Sequence, residues 1–199
     1  LTGHYGTGKT EVSVNLALAL AAEGEQVMLA DLDIVNPYFR SRERRPLLEK
    51  AGVRVISSSQ ACSDADVPAL PAELLTILEN REIRGILDIG GDPVGARVLA
   101  RFQPKIVQED YQLIFVLNAN RPEVRDAESA AAYLRSIEAV TGLTCSGLVN
   151  NTHLCGETTP AEIRKGVALA QEVSRQTGIP ILCHTAERRF LESLSDLGE

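Results

Sequence analysis

A short segment near the start of the chain constrains its fold more than any other. Residues 3–10, GHYGTGKT, match the pattern G-x-x-x-x-G-K-[ST], and an Ala- and Leu-rich stretch follows directly. In this pattern the glycines let backbone N–H groups turn inward around phosphates, Lys9 supplies a cation and the Thr10 hydroxyl is placed to ligate Mg²⁺. The alternative is a chance glycine-rich turn, which the helical stretch after it disfavours. The segment therefore predicts a phosphate-binding loop at the start of a helix.

The rest of the chain alternates short aliphatic runs with longer helical segments. The apolar runs predict buried strands at residues 26–32, 53–57, 85–89, 112–117, 145–150 and 179–184. Helices are predicted at residues 9–22, 69–80 and 122–140, and a further helix starts at the capping sequence of residues 159–162 and ends at Gly178. This alternation is typical of an α/β fold. We expect a P-loop NTPase fold with a mostly parallel sheet and helices on both faces.

Composition favours one soluble domain. The 199 residues are 44% hydrophobic and carry a net charge of −7, so the chain can bury a core but lacks the positive field that non-specific nucleic-acid binding needs. No apolar run approaches the roughly 20 residues that span a bilayer, so we expect no stable membrane insertion and a cytoplasmic location. We predict a single nucleotide-binding domain over residues 1–199. Its first strand is expected to be truncated, because such a loop normally follows a buried strand.

Two acidic segments follow predicted strands. The first contains Asp31 and Asp33, and the second runs from Asp88 through Gly91 to Asp92. Carboxylates at the carboxyl ends of parallel strands lie where an open α/β sheet presents its ligand. Asp88 follows the apolar residues of a predicted strand, so we expect its carboxylate to hold Mg²⁺. The Gly91 N–H is a candidate sensor of the terminal phosphate. Asp31 has two interpretations, a functional group or a carboxylate that stabilises its own loop.

These motifs together resemble the group of P-loop ATPases that contains MinD, ParA, the nitrogenase iron protein and CobQ/CobB-type domains. The likeness spans essentially the whole chain, and the Gly-His-Tyr-Gly start of the loop is similar to that of a bacterial subset. The resemblance implies that Asp33 positions the attacking water and that residues 88–91 form the switch that reports the terminal phosphate. It also implies that residues 118–127 follow the switch and that Asn150 contacts adenine. The implied cofactors are ATP and Mg²⁺.

The expected site combines these motifs. The expected catalytic residues are Lys9, Asp33 and Asp88, and Mg²⁺ is expected on Thr10 and Asp88 directly and on Asp33 through water. The residues expected to bind the nucleotide are Gly3, His4, Tyr5, Gly6, Thr7, Gly8, Lys9, Thr10, Glu11, Gly91 and Asn150.

The chain departs from the resembled group at residue 4. That group has a second lysine just after the first glycine of the loop, which reaches a partner's phosphates in a nucleotide-sandwich dimer, whereas this chain has His4. A neutral imidazole supplies no fixed positive charge at neutral pH. Either His4 is protonated beside the phosphates, or another cation (Arg40, Arg42 or Arg44) acts on the partner, or no sandwich dimer forms.

The strand ends favour adenine over guanine. A common guanine reader is Asn-Lys-x-Asp, and neither Asn118-Ala119-Asn120-Arg121 nor Asn150-Asn151-Thr152-His153 supplies its carboxylate. An asparagine amide can pair with adenine through one donor and one acceptor. The alternative role for Asn150 is a simple cap at the end of a strand.

Three further features have structural alternatives. His4, His153 and His184 with the neighbouring cysteines lack the paired spacing of a zinc site, so structural thiols are favoured. The basic run at residues 40–45 is expected to be a solvated loop, with a partner surface or a phosphate sensor as alternatives. Residues 188–190 are expected to open a short amphipathic packing helix rather than a membrane-targeting one.

The sequence and this resemblance thus favour a Mg·ATP-binding P-loop ATPase of the MinD/ParA-like type that acts as a nucleotide-dependent switch. Its output is expected to be a change in an ATP-dependent homodimer or in binding to an unidentified protein partner. One alternative is a nucleotide-gated binding module with little hydrolysis, suggested by the missing lysine. Another is a CobB-like small-molecule kinase or ATP-dependent synthetase that would hold an acceptor with Tyr38, Phe39 and residues 57–66.

Overall fold

The chain folds as parallel strands connected by helices. A computed structural model describes residues 1–32, 44–57 and 73–197. They form two compact units: the first holds Leu1 and the described part of residues 9–111, and the second holds residues 2–8 and 112–197. Every strand pair in both units is parallel, which confirms the predicted α/β class. A single domain over residues 1–199 stays a prediction.

The first unit contains a three-stranded sheet in the order β2-β1-β3. Helix α1 packs on β1 and β3. Six of the seven residues of β1 are buried, as expected for a central strand covered on both faces. The elements of this unit are α1 (Lys9–Ala22), β1 (Gln26–Leu32), α2 (Arg45–Lys50), β2 (Arg54–Ser57), α3 (Glu73–Glu79), β3 (Ile83–Ile89), α4 (Pro93–Ala100) and α5 (Gln103–Ile106).

The second unit contains a three-stranded sheet in the order β4-β5-β6. Its elements are β4 (Leu113–Leu117), α6 (Ala127–Thr141), β5 (Cys145–Asn150), α7 (Pro160–Thr177) and β6 (Ile181–His184). Thr2 joins this sheet beside β4, because its N–H donates to the Ile114 oxygen at 2.9 Å and its carbonyl accepts from the Val116 N–H at 2.8 Å. Phe115, between those two β4 residues, is fully buried. The residue just before the phosphate loop is therefore held by a buried strand.

Most predicted elements are confirmed. The bounds of α1, β1 and β5 agree with those predicted from the sequence, but α6 begins at Ala127 rather than at the predicted residue 122. The reason is Asp126, whose Oδ1 accepts from the Ser129 N–H at 2.8 Å and caps the helix. Pro122–Val124 forms a separate 3₁₀ turn before that cap. The local capping signal thus overrides the continuous apolar pattern.

Short helices were not expected from the sequence. Arg45, placed by sequence in a solvated loop, is the first residue of α2, and its Nη2 donates to the Val55 oxygen at 3.1 Å. Arg40 and Arg42 lie outside the described residues, as do Tyr38 and Phe39. Residues 188–190 form a 3₁₀ turn rather than the start of a regular helix. None of the helices in the described part of the chain combines the length and apolarity needed to cross a bilayer.

Candidate nucleotide-binding site

The phosphate loop is a sequence of tight turns. Its glycines Gly3, Gly6 and Gly8 have φ angles of +141°, +75° and +83°, in the region that residues with a Cβ rarely adopt. The His4 carbonyl accepts from both the N–H and the Oγ1 of Thr7, at 3.2 Å and 2.9 Å. The loop therefore curls back on itself before α1 begins.

Side chains from the ends of β4 and β5 hold the loop by its carbonyl oxygens. The Arg121 Nε–H donates to the Gly6 oxygen at 2.8 Å, and the Asn151 amide donates to the Thr7 oxygen at 2.8 Å. The Asn151 Oδ1 in turn accepts from the Thr185 hydroxyl at 2.5 Å, which fixes the orientation of the amide. Asn118 adds a longer contact to Gly6.

This anchoring determines where the loop N–H groups point. In a trans peptide the C=O and the N–H point in opposite directions. Because the Thr7 carbonyl is bonded to Asn151, the Gly8 N–H points away from Asn151. Backbone N–H groups arranged in this way form an anion-binding concavity. A Cβ on Gly8 would lie 2.2 Å from the Asn151 Nδ2, so glycine is also required here by space.

The first helix begins at the two residues expected to meet the phosphates and the metal. Lys9 is its first residue and is only 6% exposed, whereas Thr10 is half-buried and Glu11 is exposed. The N-terminus of a 14-residue helix carries a partial positive charge that favours anions. A buried ammonium group at this position is the chemistry that a polyphosphate requires.

Two carboxylates stand side by side on neighbouring strands of the first unit. Asp31 on β1 is the register partner of Asp88 on β3, and they are only 4% and 1% exposed. Register partners in a parallel pair project to the same face of the sheet, with strands about 4.8 Å apart. Carboxylate oxygens are ligands that suit a hard cation such as Mg²⁺. The structure places Asp31 beside Asp88, and a functional role for Asp31 stays a prediction.

The residues after β3 have separate roles. Asp92 caps α4, because its Oδ1 accepts from the Gly95 N–H at 2.6 Å. Gly91 is buried and lies two residues beyond the end of β3. Asp33 lies outside the described residues, so its water-positioning role stays a prediction.

Asn150 is a fully buried residue at the end of β5. Its Oδ1 accepts from the N–H and the hydroxyl of Thr152, at 3.1 Å and 2.7 Å. This is the geometry of the strand-end cap that the sequence left open. Contact of Asn150 with a base stays a prediction.

His4 faces α6 and the turn before it. Its ring packs edge-on against Tyr133 with centroids 5.1 Å apart, and its Nδ1 lies 3.6 Å from a Glu123 carboxylate oxygen. The same nitrogen is 3.0 Å from the Tyr5 carbonyl, which can only accept. Tyr5 itself is 55% exposed.

Cysteine and histidine side chains do not build a metal centre in the described ranges, where no three His, Cys, Asp or Glu side chains cluster. The structure does bring Cys155 within 3.8 Å of the His153 Nδ1. Burial raises the pKa of Cys145 to about 11, so this thiol stays protonated. Magnesium needs only one or two protein carboxylates, because water and phosphate oxygens complete its shell.

Sequence reasoning missed the three residues that hold the loop: Asn118, Arg121 and Asn151. In the sequence all three stand in strand-end segments that lack a guanine reader, and Asn118 and Arg121 also belong to the segment that the resemblance places after the switch. The available signal was their position, because each follows a predicted strand of a parallel sheet and so lies at the ligand edge.

Comparison with known proteins identifies the family. The model of the CobQ/CobB/MinD/ParA nucleotide-binding domain matches residues 3–182. This chain belongs to that family. It is therefore a P-loop nucleotide-binding domain, as the resemblance implied. No curated protein is similar enough to this chain to count as a relative.

Solved structures share the fold. The cell division protein FtsY from Thermotoga maritima is 23% identical with a TM-score of 0.63, over 94% of this chain and 60% of that one. The signal recognition particle 54 kDa protein from Aeropyrum pernix K1, in complex with GDP, is 24% identical with a TM-score of 0.60, over 99% and 45%. A nucleotide-binding protein from Archaeoglobus fulgidus, in complex with ADP and with cobalt, is 20% identical with a TM-score of 0.55, over 99% and 84%. The chain thus spans about 60% of the length of FtsY.

Proposed function

We propose that this domain binds Mg·ATP, hydrolyses it and uses the change of nucleotide as a switch. The observation that carries the proposal is the phosphate loop, whose carbonyl oxygens are bonded to Arg121 and Asn151 and whose next residue is the buried Lys9. A loop held in this way is expected to keep its geometry when phosphates bind, so that little conformational entropy is lost on binding.

The residues divide into three roles. Lys9 and the loop N–H groups bind and orient the phosphates. The Thr10 hydroxyl and the Asp88 carboxylate fit a hard cation, since both are oxygen ligands and Asp31 adds negative charge beside Asp88. Magnesium, when bound, neutralises charge on the phosphate oxygens. Asp33 is assigned to orient water and Gly91 to sense the terminal phosphate, both by family resemblance.

ATP is proposed over GTP on the chemistry of the strand ends. The side chains after β4 and β5 include no carboxylate in the position of a common guanine reader. The structural neighbours include both an ADP complex and a GDP complex, and at these identities they show the fold alone. A direct competition of ATP against GTP decides between the bases.

A second candidate is a nucleotide-gated binding module that hydrolyses little. It is favoured by His4, which stands where the resembled group has a lysine and whose ring lies against Tyr133 and Glu123. In this case the output is an ATP-dependent homodimer or capture of a protein partner without fast turnover. The proposed ATPase and this module share the same nucleotide site.

The test is a phosphate-release assay with Mg·ATP and Mg·GTP, run beside calorimetric titration of the same nucleotides. We expect binding and release with ATP, both lost in Lys9→Ala, because the buried cation is removed. Control variant Lys105→Ala changes an exposed lysine of the first unit and is expected to behave as wild type. Tight ATP binding without release supports the binding module, and absence of nucleotide binding contradicts both candidates.

A further inference from the structure

The second unit contains an arginine in direct contact with the phosphate loop. The Arg121 Nε–H donates to the Gly6 carbonyl at 2.8 Å, across 115 residues of chain. A Cβ built on Gly6 would lie 2.7 Å from the Arg121 Cζ and 2.9 Å from its Nη2, closer than real Cβ contacts. The guanidinium plane therefore lies against the backbone of the loop, and Gly6 is the residue that lets it approach.

The charge of Arg121 is not neutralised by a carboxylate within the described residues. Ion pairs there include Arg125 with Asp126 at 3.8 Å, in the same segment, but none at Arg121. A guanidinium stays protonated at any ordinary pH and offers five N–H donors, of which the bond to Gly6 uses one. A permanent positive charge thus lies beside residues 4–8.

Residue 4 is a histidine where the resembled group has a lysine. The His4 ring contacts the Tyr5 carbonyl, Glu123 and Tyr133, all in the second unit. The fixed charge that a lysine would bring to this position is therefore absent from the side chain of residue 4, whereas the fold brings the guanidinium of Arg121 to the same loop.

We infer that Arg121 is a positioning residue that also supplies the loop with a cation from within the same chain. The inference rests on the proposed nucleotide site. The ligand class is an anion with two or more linked phosphates, for which the charge of the guanidinium raises affinity. Binding of a nucleoside monophosphate depends least on the charge of Arg121.

The experiment separates charge from hydrogen bonding. In Arg121→Gln the amide retains a donor for Gly6 but no charge, whereas Arg121→Lys retains the charge. Calorimetric titration uses AMP, ADP, ATP, GTP and inorganic triphosphate with Mg²⁺. We expect Arg121→Gln to lower the affinity for the triphosphates about tenfold and the affinity for AMP less than twofold. The affinities of Arg121→Lys should stay within about threefold of wild type.

A second substitution, at residue 4, distinguishes the charge of Arg121 from a purely structural role, because an added charge cannot restore a lost structural contact. The double variant His4→Lys/Arg121→Gln is expected to recover most of the lost triphosphate affinity, because a fixed charge returns to the loop. Arg125→Gln, an exposed arginine paired with Asp126, is the matched control and is expected to bind as wild type.

Three outcomes overturn the inference. Equal triphosphate affinity in Arg121→Gln and wild type shows that the charge of Arg121 does not contribute to binding. A second contradicting result is an equal loss of affinity for AMP and for ATP that Arg121→Lys shares and that His4→Lys does not rescue. It would show that Arg121 only holds the loop in place. A folded wild type that binds neither nucleotides nor triphosphate overturns the proposed function and this inference with it.

Discussion

The phosphate loop and the acidic strand ends hold their polar groups in opposite ways. In the second unit, the Asn151 amide and the Arg121 guanidinium donate to carbonyl oxygens of the loop. In the first unit, Asp31 and Asp88 bring two buried carboxylates into register on adjacent strands. The loop carbonyls are thus bonded within the protein, whereas the two carboxylates offer oxygen ligands of the kind that Mg²⁺ prefers. The comparison predicts a loop that is preformed by protein contacts and an acidic pair that gains most from Mg²⁺.

The largest effect is expected from breaking the loop. Gly8→Ala places a Cβ 2.2 Å from the Asn151 Nδ2, at a φ of +83° that alanine rarely adopts. We expect nucleotide affinity to fall roughly hundredfold in a calorimetric titration. Gly24→Ala is the matched control, because Gly24 has a similar φ of +88° with nothing within 4 Å of the new Cβ. An unchanged affinity in Gly8→Ala would contradict the preformed loop.

The acidic pair is tested by neutralising Asp88. Asp88→Asn removes the carboxylate assigned to Mg²⁺, so we expect the gain in ATP affinity on adding Mg²⁺ to shrink about tenfold. Binding of ADP without Mg²⁺ should change little, since the loop is intact. The measurement is a pair of titrations with Mg²⁺ and with EDTA, and exposed Asp110→Asn serves as control. An undiminished Mg²⁺ effect would place the metal elsewhere.

A smaller loss is expected at a single loop anchor. Asn151→Ala removes the donor to the Thr7 oxygen while Arg121 continues to hold Gly6. Because one neutral hydrogen bond contributes about 1 kcal/mol net, we expect ATP affinity to fall about fivefold. Asn15→Ala, on the exposed side of α1, is the comparison variant. A loss equal to that of Gly8→Ala would show that the loop depends on one anchor.

The smallest effect on binding is expected at Asp92. This carboxylate caps α4 through the Gly95 N–H, so Asp92→Ala should lower the free energy of unfolding by about 1 kcal/mol. Chemical denaturation measures this loss, and titration should show Mg·ATP affinity within twofold of wild type. If Mg²⁺ no longer raised the ATP affinity of this variant, Asp92 would be a third carboxylate that acts with Asp31 and Asp88 on the metal.

The sequence predicts the fold better than the site. Patterns within one segment, such as the Thr159 cap of α7 or the apolar run of β5, depend on neighbours along the chain and can be predicted from it. Arg121 and Gly6 are 115 residues apart, and their bond exists only once β4 and the loop are packed together. The partnership of Asp31 with Asp88 likewise depends on strand order, which the sequence pattern does not specify. The short helix α2 has too few periodic positions to stand out from a basic loop.

The central claim, a loop built before its ligand, is tested most directly by crystal structures with and without Mg²⁺ and a non-hydrolysable ATP analogue. The account predicts phosphates on the loop N–H groups and Lys9, Mg²⁺ beside Thr10 and Asp88, and the Gly6 and Thr7 carbonyls bonded to Arg121 and Asn151 in both structures. An analogue bound elsewhere, or a loop that releases both anchors when the phosphates bind, would contradict it.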